Sequence, residues 1–101
     1  MGIRHSEETD ALFRSVLALT SVEECYAYFE DLCTVKEVRD LSQRLEVARL
    51  LDEGCSYQRA AAATGASSTT IGRVKRCLEY GTGGYRMVLG RLKEVDARDD
   101  G

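Results

Sequence analysis

The 101-residue sequence has no proline, a single histidine and no two cysteines closer than eight positions, and each scarcity removes a class of protein. His5 stands alone near the start, so no Ser/His/Asp or Cys/His set can be assembled, and no glycine-rich phosphate loop follows a strand. The chain does not read as an enzyme. Cys25, Cys33, Cys55 and Cys77 are spaced 8, 22 and 22 apart, whereas zinc sites usually carry a pair two to four residues apart. No metal site or other cofactor is expected, and the thiols read as small buried or half-buried apolar residues of a reducing cytoplasm. The longest uncharged run, Ala60 to Gly72, is mostly Ala, Thr, Ser and Gly, too polar and too short for a membrane span of roughly 20 residues. Met1 to Asp10 lacks the apolar stretch of a secretory signal, so a cytoplasmic protein is expected.

No strong basic excess is present either. Fourteen Lys and Arg against seventeen Asp and Glu give −3, so a nucleic acid or an acidic lipid surface would have to be met by a local patch. One such patch exists: Gly54 to Leu78 holds Arg59, Arg73, Lys75 and Arg76 and no acid, +4, while ten bases and seventeen acids leave the remainder at −7.

No segment alternates apolar and polar residues as a half-buried strand would, and the periodicity is helical throughout. Leu12, Phe13, Val16 and Leu17 form one face of a helix over about 8–19. Ser21 with Glu24 forms a capping box opening a helix that runs to about Leu32, with Val22, Tyr26, Phe29 and Leu32 on its face. Thr34 with Glu37 repeats the box ahead of Val35 to Glu53, which Gly54 ends. On that third helix Val38, Leu41, Leu45 and Ala48 form one stripe, while Val47, flanked by Leu50 and Leu51, lies opposite. A helix apolar on two faces in so small a chain predicts a second subunit covering one of them. A helix from Ser56 to about Thr64, a turn at Gly65-Ala66, and a helix from Ser67 to about Tyr80 follow. A last helix runs from Tyr85 to about Val95, carrying Tyr85, Val88, Leu92 and Val95, and 96–101 reads as a flexible solvated tail. The expectation is one all-α domain of six helices.

Tyr57 to Arg76 fits the roughly 20-residue helix-turn-helix template. Ala61 is small where two helices cross, Gly65 suits a left-handed turn, and Ile71 and Val74 anchor the second helix inward. Segment 56–80 is therefore the expected DNA-reading unit. With Ile71, Val74 and Leu78 facing the core, Thr69, Gly72, Arg73, Arg76 and Tyr80 fall on the opposite side. Ser67 caps a helix N-terminus able to take a phosphate, Ser68 and Thr69 let the backbone approach base edges, and Arg76 reaches a guanine or a phosphate. Gln58 and Arg59 are placed to touch the sugar-phosphate backbone. A competing reading makes the same helix pair a protein-interaction module that contacts the transcription machinery.

Leu32, Thr34, Glu37, Leu41, Arg44, Val47, Leu50-Leu51, Gly54, Ser56, Thr64-Gly65-Ala66, Thr70-Ile71 and Arg73 together resemble the tryptophan-repressor superfamily, more closely its YerC/YecD-type branch. The resemblance implies an intertwined all-helical homodimer that binds double-stranded DNA at a palindromic operator and regulates transcription. It also implies an effector pocket at Thr34, Arg44, Arg73, Val74 and Cys77. In tryptophan-binding members two arginines, matched by Arg44 and Arg73, sandwich the indole. A glycine follows the second of them where this chain has Val74, and a serine stands at the position of Cys77. The resemblance so implies a regulator without tryptophan as corepressor, the identity of any other effector being left open.

Overall fold

A computed structural model describes residues 2–100, with side chains through 97. Among the described residues it contains six α-helices and no strand: α1 (Glu7–Leu17), α2 (Val22–Leu32), α3 (Val35–Asp52), α4 (Tyr57–Thr64), α5 (Ser68–Tyr80) and α6 (Gly84–Asp100). They divide into two compact units, Met1–Val38 and Arg39–Gly101.

In the first unit side-chain caps set the helix starts. The Ser6 hydroxyl accepts from the Thr9 N–H at 3.0 Å, and Glu7, Glu8 and Asp10 oppose the positive end of the α1 dipole. Ser21 caps α2 by accepting from the Glu24 N–H at 3.1 Å. The reciprocal half of that box moves one residue upstream: Glu24 Oε1 accepts from the N–H and hydroxyl of Thr20, at 2.8 and 3.0 Å. Both halves form at α3, where Glu37 Oε1 accepts from the Thr34 N–H at 2.8 Å and Thr34 Oγ1 accepts from the Glu37 N–H at 3.1 Å. A hydroxyl pair, Ser15 Oγ to Tyr28 Oη at 2.6 Å, joins α1 to α2. Neither helix buries a residue, and Phe13, Leu17, Val22 and Tyr26 stand exposed on the faces that periodicity assigned to packing.

The second unit holds the core. Val47 and Ala48 of α3, Ala66 of the turn, Ile71 and Val74 of α5 and Leu89 of α6 form one buried cluster, with Leu51, Ala61, Leu78 and Tyr85 partly buried against it. The Val47 face of α3 is thus covered within the chain, whereas Leu41 and Leu45 remain 47% and 40% exposed. Gly54, at φ +95°, turns the chain out of α3 in the region that a side chain would strain. Asp52 accepts from Arg86 and Lys93, each at 3.3 Å, and Arg86 Nε donates to the Leu78 carbonyl at 3.0 Å, so charge ties α6 to the ends of α3 and α5.

Two expectations are corrected in α6. The helix continues to Asp100, since nothing between Asp96 and Asp100 breaks it, so 96–100 is helical where a tail was expected; Gly101 lies outside the described residues. Among the described side chains α6 buries Leu89, one turn beyond Tyr85, while Val88, Leu92 and Val95 are exposed. Cys25 and Cys77 are also exposed rather than buried, and Cys33 and Cys55 are half-buried.

Candidate nucleic-acid interface

Helices α4 and α5 are joined by Gly65, Ala66 and Ser67, and the local chemistry of each end accounts for the turn. Ser56 caps α4, its hydroxyl accepting from the Arg59 N–H at 3.1 Å. Gly65 takes φ +71°, and its N–H donates to the Ala61 carbonyl at 2.9 Å. Thr64 closes the corner from inside: its hydroxyl donates to the Ala60 carbonyl at 2.7 Å and accepts from the Ala66 N–H at 3.2 Å. Ser67 caps α5, accepting from the Thr70 N–H at 3.2 Å. Ile71 and Val74, both buried, hold α5 to the core as the spacing predicts, and Ala60 is buried more deeply than the expected contact residue Ala61.

That anchoring turns the opposite side of α5 outward. Ser67, Ser68, Thr69, Arg73 and Arg76 are exposed, as are Gln58 and Arg59 on α4. Lys75, the fourth cation of the acid-free stretch, is exposed as well. Gly72 differs from the rest. It is half-buried, and a Cβ there would lie 3.9 Å from the hydroxyl of Tyr57. Its open side therefore faces the first turn of α4 as well as solvent.

Three residues of the site had no role there in the sequence reading. Tyr57 Oη donates to the Ser68 carbonyl at 2.6 Å, joining the first residues of α4 and α5. Gln43 Nε2 donates to the Thr64 carbonyl at 3.1 Å and ties α3 to the turn. Tyr85 packs against the core cluster that includes Val74. Burial pushes its phenol up in pKa, the Cys77 thiol adds to the rise, and the Arg44 and Arg73 guanidiniums oppose it. An aromatic residue in an otherwise polar helix start was a signal for Tyr57; the partner of Gln43 left none.

Four of the five effector-pocket positions belong to this unit. Arg44 is half-buried, Arg73 and Cys77 are exposed, and Val74 is 1% exposed within the core. Tyr85 is the side chain on which Arg44, Arg73 and Cys77 all act. Thr34 belongs to the first unit, where its side chain is committed to capping α3. Among the described residues there is no cluster of three His, Cys, Asp or Glu suited to a metal ion, and no helix is long and apolar enough to cross a membrane.

The family model for the Trp repressor protein matches residues 7–93. The chain is 54% identical over 90 residues to the uncharacterized protein YerC of Bacillus subtilis (strain 168), covering 89% of this chain and 86% of that one. A crystal structure from Staphylococcus aureus, assigned as a candidate Trp repressor, superposes with a TM-score of 0.86 at 45% identity, over 88% of this chain and 89% of that one. A TrpR-like protein from Eubacterium eligens ATCC 27750 superposes with a TM-score of 0.85 at 45% identity, over 87% and 91% of the two chains.

Proposed function

This chain belongs to the Trp repressor protein family, and from that premise we propose that it is a sequence-specific DNA-binding regulator of transcription, not an enzyme. It acts as a homodimer on a palindromic operator, without tryptophan as corepressor. One observation carries the reading: with Ile71 and Val74 held in the core, Arg59, Arg73, Lys75 and Arg76 stand exposed on α4 and α5 with the short side chains of Ser67, Ser68 and Thr69, and Glu79, near the end of α5, is the one acid on the two helices. Cations can grip phosphates at several points while a helix start with small residues approaches base edges in the major groove.

Two features support dimerisation. Among the described residues the single chain buries seven apolar side chains, and it leaves Leu41 and Leu45 of α3 and most of the apolar residues of α1 and α2 open. A core this small is marginal for an independent domain, and a second copy would cover the open faces. The exclusion of tryptophan rests on Val74, which fills core space where a flat ligand would need a glycine. Tyr85 adds to it, as an aromatic ring partly buried against the same core as Val74, whose phenol feels the charges of Arg44 and Arg73.

Selection of bound duplexes from a random pool, with purified protein and no added ligand, tests the reading. Enrichment of a palindrome is expected. A pool that stays random would remove operator binding and favour a role for the same face in contacting the transcription machinery.

A further inference from the structure

We propose that Tyr57 is a positioning residue for base reading, an inference that rests on the DNA-binding reading above: its hydroxyl sets the angle at which the first turn of α5 meets the groove. Tyr57 is the first residue of α4 and Ser68 the first of α5, so the 2.6 Å bond between them joins the two helix starts directly. Tyr57 is 39% exposed and stands outside the buried core, so burial alone does not account for where its ring lies. The same hydroxyl sits 3.9 Å from the position a Gly72 Cβ would take, so one side chain of α4 lies against two successive turns of α5. A glycine at 72 leaves that space open.

The remaining restraints on α5 act elsewhere. Ile71 and Val74 hold it from the core side, Arg86 holds the Leu78 carbonyl near its far end, and Gln43 and Thr64 hold the turn before it. None of these reaches the first turn of α5 from its outer side. The Tyr57 bond does, meeting Ser68 from outside the core. Its loss would disturb Ser68 and Thr69, the residues nearest the bases, while Gln58 and Arg59 on α4 keep their places against phosphates. The signature is therefore a fall in specificity, distinct from a general loss of affinity.

Tyr57→Phe keeps the ring and deletes only the hydroxyl. Against the duplex selected by the parent protein, its affinity should fall about 5- to 10-fold, the equivalent of one net hydrogen bond, while affinity for random-sequence duplex stays within about twofold. Sedimentation should match the parent, and the thermal midpoint should fall by no more than a few degrees, the cost of one exposed hydrogen bond. Equal binding of the selected duplex, or a parallel loss on both duplexes, would overturn the assignment. Amide exchange in the free protein gives a second reading: exchange at Thr70, Ile71 and Gly72 should quicken in Tyr57→Phe while the amide of Leu89 in α6 is unchanged. Unaltered exchange at all four also overturns it. If the parent protein selects no sequence, the DNA-binding reading fails instead, and the exchange measurement still decides whether Tyr57 holds α5.

Discussion

The side-chain amide of Gln43 donates to the backbone carbonyl of Thr64 at 3.1 Å, so the middle of α3 grips the last residue of α4 just before the chain reverses at Gly65. The contact is partly buried, and the Thr64 hydroxyl is occupied by Ala60 and Ala66. Gln43→Leu would leave that carbonyl without its donor and should cost about 1–2 kcal/mol of stability, read as a lower urea midpoint at an unchanged slope. An unchanged midpoint would show that water replaces Gln43 without loss.

The homodimer should be visible in sedimentation at micromolar concentration, with a thermal midpoint that rises with protein concentration. Leu45 is 40% exposed in one chain, so a protein that is stable as a monomer would accept Leu45→Asp with little change. If a second copy covers it, the buried carboxylate should abolish dimerisation, and the small core around Val47, Ile71 and Val74 should then fail to hold the chain folded. A folded, monomeric Leu45→Asp protein would argue against an intertwined core.

On DNA, Arg76→Ala should weaken binding of the selected duplex by about 1–3 kcal/mol if the guanidinium reads a base. Gly72→Glu should abolish binding, both by setting a carboxylate near phosphates and by crowding the Tyr57 hydroxyl that lies 3.9 Å from the new Cβ. Parental binding by Gly72→Glu in an electrophoretic or anisotropy assay would mean that α5 presents a different side to the duplex.

Calorimetry with L-tryptophan should give no binding heat. A dissociation constant near 10–100 μM, about −7 to −5.5 kcal/mol, with DNA affinity raised on addition, would contradict the role given to Val74 and Tyr85. The double change Val74→Gly with Cys77→Ser, alone and with Tyr85→Ala, separates the causes. Binding that appears only when Tyr85 is also removed identifies the ring as the obstruction, and binding that appears without that change identifies Val74 and Cys77.

Acid should weaken the start of α3. The hydrogen bond from the Thr34 backbone, followed by that from its hydroxyl, holds the Glu37 carboxyl below its ordinary 4.5, slightly offset by burial. A depressed folded-state value means that the box contributes stability above the unfolded pKa and loses it as pH falls through the folded one. Glu46 shifts in the same sense through Arg49. Glu37→Gln should flatten the decline of the urea midpoint between about pH 5 and pH 3, and an undiminished decline would show that the box carries none of it.

The reach of the sequence over this protein follows the range of the forces involved. Helix starts and stops act over three or four residues: Ser21, Thr34 and Ser67 cap where the sequence predicts, and Gly65 is left-handed because its turn requires it. The outward direction of Arg73 and Arg76 follows from Ile71 and Val74 by helical period alone. Periodicity also showed that α3 is apolar on two faces, yet it could not show which one the chain itself covers. That choice depended on α5 and α6 closing over Val47 and leaving Leu45 open. The burial of Leu89 in place of Val88, the grip of Gln43 on Thr64 and the bond from Tyr57 to Ser68 were likewise decided by tertiary structure. Each joins groups on different helices, and a one-dimensional pattern carries the period of a helix but not its rotation against its neighbour.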